Sequence, residues 1–216
     1  MKLINIELAK IVALAGYRFT KGNPFRLDLL AEIKSRYNFQ HHAEQAAEAS
    51  NNITFKVGSW KGLQIDEFGV YSDGFIVSGK NSTDIFDEFI DDLHQVIRTK
   101  FGILMADQPP PVRVYESIVV VEINPKLEKN FDLLSGLYKD LDALNESYQG
   151  NGANYRLGGF HVEAESAQHD SRKPPTFTLV RRVGVKFDSG YWYSSAGLKT
   201  DDHLAVLKNL EERSLK

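Results

Sequence analysis

The sequence predicts an α+β fold built from two related β-α-β-β-β-α modules, each an antiparallel sheet with its helices on one face. The main observation is a hairpin with a following helix that occurs twice. The turn glycines Gly74 and Gly190 lie 116 positions apart (74 to 190), and the helix-start residues Thr83 and Thr200 lie 117 apart (83 to 200). One inserted residue reconciles the two spacings. The pattern therefore indicates an internal duplication and favours pseudo-two-fold packing of the copies.

A proline-rich segment supports the same division of the chain. Three consecutive prolines at 109–111 exclude helix and favour a short extended spacer. The order of predicted elements starts again after them. We therefore predict a first module at 1–106, a joint at 107–111 and a second module at 112–216.

Apolar spacing and turn residues predict the elements of the first module. β-Branched residues make 3–19 a strand, and apolar residues at helical spacing make 27–37 a helix. The segment 41–49 has the composition of a loose surface helix. A meander of three strands follows at 53–60, 63–71 and 75–78. A long helix, capped by Ser82 or Thr83, completes the module.

The second module repeats this order. Strands are predicted at 112–123, 156–163, 176–187 and 190–195, and helices at 132–145 and 200–210. The last strand of each module, 75–77 and 191–193, is apolar on both sides, so the sheet face without helices is not simply solvated. This pattern predicts a contact surface, either on that face or at an edge strand.

The composition is that of an ordinary globular protein, with 42% hydrophobic and 25% charged residues. The absence of cysteine excludes disulfides and thiolate chemistry and fits a reducing compartment. A net charge of −3 provides no overall attraction to nucleic acid or anionic lipid. The apolar amino terminus is interrupted by polar residues and reads as a strand, so we predict a cytoplasmic protein that does not enter a membrane.

One predicted helix face carries five acids, and their spacing would let two carboxylates share a divalent cation or act as an acid–base pair. They are Asp84, Asp87, Glu88, Asp91 and Asp92. A solvated face with acids near the helix start is the favoured interpretation. The six histidines form no H-E-x-x-H pattern, and hydrolase, kinase and dinucleotide fingerprints are absent. We predict no catalytic residue, metal site or cofactor, and keep a metal-dependent hydrolase as an alternative.

Cations and aromatic side chains interleave in the second module, a pattern that can hold phosphates and stack bases. The predicted binding residues are Arg156, His161, Arg181, Arg182, Lys186, Tyr191, Trp192 and Tyr193. Strand alternation would place Arg181 on one face and both Arg182 and Lys186 on the other, which splits the cations and favours core and ion-pair roles. Nucleic acid is therefore the alternative ligand.

The sequence as a whole favours a non-catalytic binding protein with a regulatory, adaptor or complex-subunit role. The partner is expected to be another protein or a second copy of the chain, bound at the sheet face without helices or at an edge strand.

Overall fold

Strands dominate the computed structural model, which describes residues 1–42, 52–106, 111–124, 126–127, 134–149, 155–163 and 176–215. The strands of these ranges are Lys2–Ala15 (β1), Phe19–Lys21 (β2), His41–His42 (β3), Asn52–Trp60 (β4), Leu63–Tyr71 (β5), Gly74–Gly79 (β6), Leu104–Met105 (β7), Pro111–Glu122 (β8), Gly159–Val162 (β9), Phe177–Arg181 (β10) and Tyr191–Ala196 (β11). The helices are Leu27–Arg36 (α1), Thr83–Phe101 (α2), Ser135–Gln149 (α3) and Thr200–Ser214 (α4). Among the described residues, no helix combines the length and apolar character needed to cross a bilayer.

Nine of the described strands hydrogen-bond in the order β3-β4-β5-β6-β1-β8-β11-β10-β9, and β2 pairs with β7 in a separate ribbon. The registers among β3 to β6, between β1 and β6, and among β9 to β11 are antiparallel. When the short strands β2, β3 and β7 are left aside, both halves follow the order β-α-β-β-β-α, as β1-α1-β4-β5-β6-α2 and β8-α3-β9-β10-β11-α4. The predicted α+β fold is confirmed. Descent of the halves from one duplicated unit stays a prediction.

Contacts divide the chain into two compact units. The amino-terminal unit comprises Ile6–Ile118 and Ala196–His203. The carboxy-terminal unit comprises Met1–Asn5, Val119–Ser195 and Leu204–Lys216. Residues 107–110 of the predicted joint lie outside the described residues, and the joint stays a prediction.

An apolar core fills the amino-terminal unit. Along β1, Ala9, Ile11 and Ala13 are buried at every second position, as a strand with one covered face requires. Helices α1 and α2 pack their apolar stripes into the same core. The ring of Phe68 is fully buried, with its centroid 6.0 Å from that of Phe55 and 5.2 Å from that of Phe89. Close aromatic packing of this kind fixes the helices against the sheet.

The helix that begins at Thr83 is capped as predicted. The Ser82 hydroxyl accepts a hydrogen bond from the Asp84 backbone N–H at 3.1 Å, and Gly102 ends the helix with φ at 62°. In addition, the Thr83 N–H donates to the Thr200 hydroxyl at 3.1 Å, and the Thr200 N–H donates to the Thr83 hydroxyl at 2.8 Å. The starts of α2 and α4 therefore cap each other.

The two glycines of the repeated pattern are required by close backbone approaches. A Cβ added to Gly74 would lie 2.0 Å from the Ala13 carbonyl oxygen, and one added to Gly190 would lie 2.7 Å from that of Ile123. Gly190 also has φ at 71°, which other residues adopt only with strain. Each hairpin is thus held against the end of a long strand by a contact that no side chain permits.

The segment predicted as a loose helix at 41–49 begins as a strand instead. His41 pairs with Lys56 and His42 with Phe55 across an antiparallel ladder. The prediction was wrong at these two positions because strand pairing to β4 outweighs a weak preference for helix. Residues 43–51 lie outside the described residues.

Candidate functional site

All eight predicted binding residues lie in the carboxy-terminal unit, and seven of them lie on or between its last three sheet strands. His161 lies on β9, Arg181 ends β10, and β11 begins with the three aromatic residues Tyr191, Trp192 and Tyr193. Arg182 and Lys186 lie on the connection between β10 and β11, and Arg156 precedes β9. Sequence reasoning therefore found residues of one region, but the structure divides them among different surroundings.

The strand predicted at 176–187 ends six residues early, at Arg181. Gly184 adopts φ of 82°, Val183 is 95% exposed, and Phe187–Ser189 forms a short 3-10 turn. Alternating valines suggested a continuing strand, but a glycine in the left-handed region ends the ladder. The predicted split of the cations between two sheet faces was wrong, because Arg182 and Lys186 lie on a turn.

This turn encloses a cavity of about 310 Å³, here called the turn pocket. Its lining includes Gly158, Arg181, Arg182, Gly184, Lys186 and Tyr191. Four of the eight predicted binding residues therefore meet at one concave surface. Three of those four carry positive charge.

Arg181 and Trp192 form a cross-strand pair on β10 and β11. The guanidinium carbon lies 4.6 Å from the indole centroid, which places the cation over the ring face. Arg181 Nε donates to the Leu157 carbonyl oxygen at 3.3 Å. Burial lowers the pKa of Arg181 below its ordinary value, while the nearby Asp188 carboxylate acts in the opposite direction. Trp192 itself is only 1% exposed, so it orients Arg181 from below and offers no open face for stacking.

The other predicted residues lie outside the turn pocket. Arg156 forms an exposed ion pair with Asp188, with 2.6 Å between nitrogen and oxygen. Tyr193 pairs with Val180 and is half-buried, while His161 pairs with Thr178 and is exposed. Strand alternation places them on the sheet face opposite Trp192.

A second concave surface, which the sequence did not predict, lies between β9, β10 and α4. It has a volume of about 450 Å³ and is here called the edge groove. Its apolar lining consists of Phe160, Val162, Phe177, Val206 and Leu210. Asn209 and Arg213 complete the lining from α4. The sequence indicates this groove only through the apolar residues at alternate positions of β9 and β10. That pattern does not show which helix faces the two strands.

The edge groove lies beside the last strand of the sheet, because β9 ends the described strand order. The Arg181 N–H donates to the Gly158 carbonyl at 2.8 Å, which makes this a hydrogen-bonded pair of the ladder. Antiparallel ladders alternate such pairs with pairs whose backbone groups point outwards. By this alternation, His161 directs its N–H and C=O to the outer edge. Val162, on the groove side, is 55% exposed.

The acidic face of α2 is matched by basic side chains of the amino-terminal unit. Arg113 bonds to Asp87 at 2.7 Å and to Asp91, and Lys199 bonds to the second Asp87 oxygen at 2.7 Å. Arg113 Nε also donates to the Tyr17 hydroxyl at 2.7 Å. Burial alone raises the pKa of Asp87, but hydrogen bonds from Lys199 and Arg113 outweigh it and leave that pKa below its ordinary value.

Two further acids of this face have partners as well. Arg36 contacts both oxygens of Asp92, at 2.9 and 2.8 Å, and Lys61 bonds to Glu88 at 2.7 Å. Within the described part of the chain, no group of three or more histidines and acids is arranged to hold a metal ion. The face is an ion-pair network, whose basic members come from distant parts of the sequence.

A buried histidine in the amino-terminal unit has a different character. His203 is fully buried, and its Nδ1 lies 2.7 Å from the hydroxyl oxygen of Ser117. Burial lowers the pKa of His203 to about 4. The ring is therefore neutral at physiological pH and acts as a hydrogen-bonding core residue.

Comparison of the sequence with protein-family models and with curated proteins finds no match. The geometry of the edge groove and the turn pocket therefore carries the functional argument.

Proposed function

We propose that the protein is a non-catalytic binding protein that takes an extended segment of a partner protein at strand β9. The observation that carries this proposal is the edge groove, which adjoins the outer edge of β9. A strand at the end of a sheet is a template for another strand, and proteins use this mode to bind extended peptides. The proposal suits an adaptor or complex subunit, and the cysteine-free composition favours action in the cytoplasm.

Both parts of such recognition are available at this edge. The backbone of His161 faces outwards and can pair with the main chain of the partner segment. The side chains of Phe160 and Val162 lie on the opposite sheet face from that of His161 and line the groove. A partner strand beside β9 would place every second side chain over the groove. Main-chain pairing would give affinity, and the groove would select the side chain.

The chemistry of the groove indicates the kind of segment that fits. Its lining is mainly apolar, and its volume of about 450 Å³ is sufficient for a large aliphatic or aromatic side chain. Arg213 brings a positive charge and is exposed. We therefore expect the partner segment to combine an apolar residue with a nearby carboxylate.

The edge is favoured over the sheet face without helices, the other surface that the sequence predicted. On that face of the carboxy-terminal unit, Tyr193 is half-buried, and the Thr178 and Ser195 hydroxyls bond to each other at 2.6 Å. A mixed surface of this kind gives a partner less apolar area to cover than the edge groove does.

A selection of displayed random peptides against the full-length protein tests the proposal. Enriched peptides should be extended, with an apolar and an acidic residue, and their backbone amides should perturb the NMR signals of β9 and α4. Val162→Asp should lower the affinity for the enriched peptides about tenfold or more, because it places a charge in the groove. Leu137→Asp on α3, where Leu137 is 52% exposed, is the matched control and should bind normally.

Peptides that bind Val162→Asp as tightly as the unaltered protein would contradict the proposal. So would a selection that enriches nothing. If sedimentation shows a dimer and Val162→Asp dissociates it, the segment bound at β9 belongs to a second copy of the chain and not to another protein.

A further inference from the structure

The turn between β10 and β11 concentrates positive charge in a chain whose net charge is −3. Arg181, Arg182 and Lys186 lie within six residues and line the turn pocket together. Arg182 and Lys186 are exposed, so both can move toward a ligand without disturbing the core. Cations that converge on a concave surface raise the local concentration of anions.

Two glycines of the turn pocket border open space. A Cβ added to Gly158 or to Gly184 would meet no atom within 4 Å. Gly184 has φ of 82°, which turns the chain between Arg182 and Lys186. The pocket therefore offers open space beside its side-chain cations.

The charge balance at the turn pocket is positive. The Asp188 carboxylate acts to raise the pKa of Arg181, and it also forms an ion pair with Arg156. Burial lowers the pKa of Arg181, which shows that its charge is partly desolvated. An anion in the pocket would offset this desolvation.

We propose that the turn pocket binds a phosphate group of a single-stranded nucleic acid. Arg181, held by Trp192, supplies a fixed guanidinium, and Arg182 and Lys186 supply mobile cations. Tyr191 lines the same pocket and presents a half-exposed ring on which a base can stack. The presence of this ring favours a nucleotide over a phosphorylated side chain. No lining residue is shared with the edge groove, so the inference is independent of the proposed function.

Fluorescence anisotropy of a short labelled oligothymidylate with the full-length protein tests the inference. The double variant Arg182→Ala/Lys186→Ala should weaken binding about tenfold at low salt and reduce the slope of log K against log salt by about 0.7, because the contact with one phosphate is lost. Gly158→Glu should have a similar effect, because it places a carboxylate in an open position where glycine is not required. Lys139→Ala/Lys208→Ala removes the same charge from helix surfaces of the same unit and should bind as the unaltered protein does.

Three outcomes would overturn the inference. The first is the absence of binding at low salt. The second is equal weakening by the pocket variant and by the lysine control, which would indicate attraction to the surface as a whole. The third is a phosphoserine peptide that occupies the pocket more tightly than the oligonucleotide, which would assign the site to a phosphorylated protein.

Discussion

The two compact units share an order of elements but differ in the surfaces that they leave. In the amino-terminal unit, the rings of Phe55, Phe68 and Phe75 are fully buried, and the acidic face of α2 is matched by basic residues. In the carboxy-terminal unit, Val162 and Val206 are 55% and 42% exposed beside a groove. The comparison teaches that a similar order of elements can supply a closed core in one unit and an open surface in the other.

Core truncation should give the largest difference between the units. Phe68→Ala should lower the free energy of unfolding by about 3–5 kcal/mol, because the ring is fully buried among other aromatic rings. Phe160→Ala in the edge groove should cost about 1–2 kcal/mol, because that ring is only half-buried. Urea denaturation of both variants measures the contrast. Equal losses would show that the groove is part of a closed core.

Acidification should destabilise the protein through the buried histidine. The pKa of His203 in the folded state is about 4, below the ordinary value of 6.5, so the folded state disfavours the charged ring. The contribution of the neutral His203 ring to the free energy of unfolding is fully present above pH 6.5. It is lost as the pH falls toward 4, by about 3 kcal/mol in total. Urea denaturation at several pH values should show a weaker pH dependence for His203→Gln than for the unaltered protein.

One result would contradict this prediction. If His203→Gln keeps the pH dependence of the unaltered protein, water reaches His203 and the core around it is not closed.

The ion pairs should show the smallest difference of the three. Arg113→Met should cost about 1–3 kcal/mol, because it removes the hydrogen bonds to half-buried Asp87 while Lys199 remains. Arg156→Met should cost less than about 0.5 kcal/mol, because Asp188 is exposed. Thermal unfolding at low and high salt measures both. If Arg156→Met lowers the free energy of unfolding more than Arg113→Met does, the ion pairs that matter for stability do not lie in the amino-terminal unit.

Local features of the fold were predictable from the sequence. The cap by Ser82 and the three-strand meander follow from short-range patterns of turn residues and apolar spacing, and the structure confirms them. The turn after Arg181 was missed because Val183 and Val185 continue the alternation of a strand. The left-handed conformation of Gly184 ends the strand there.

The sites depend on contacts between distant residues. Asp87 meets Lys199 across 112 positions of the sequence, so a single chain gives no sign of their pairing. The edge groove requires α4 to lie beside β9 and β10, which no periodicity specifies. The cations of the turn pocket were identifiable by composition, but their convergence depended on where β10 ends.

The mutual capping of Thr83 and Thr200 has a consequence for any attempt to divide the gene. A fragment that stopped at the triple proline would lack Thr200 and Lys199, and with them a hydrogen-bond partner for the α2 terminus and a counterion for Asp87. It would also lack both Ser117 and His203, whose buried side chains hydrogen-bond to each other. Such a fragment is therefore not a complete unit, since the amino-terminal unit also includes residues 112–118 and Ala196–His203.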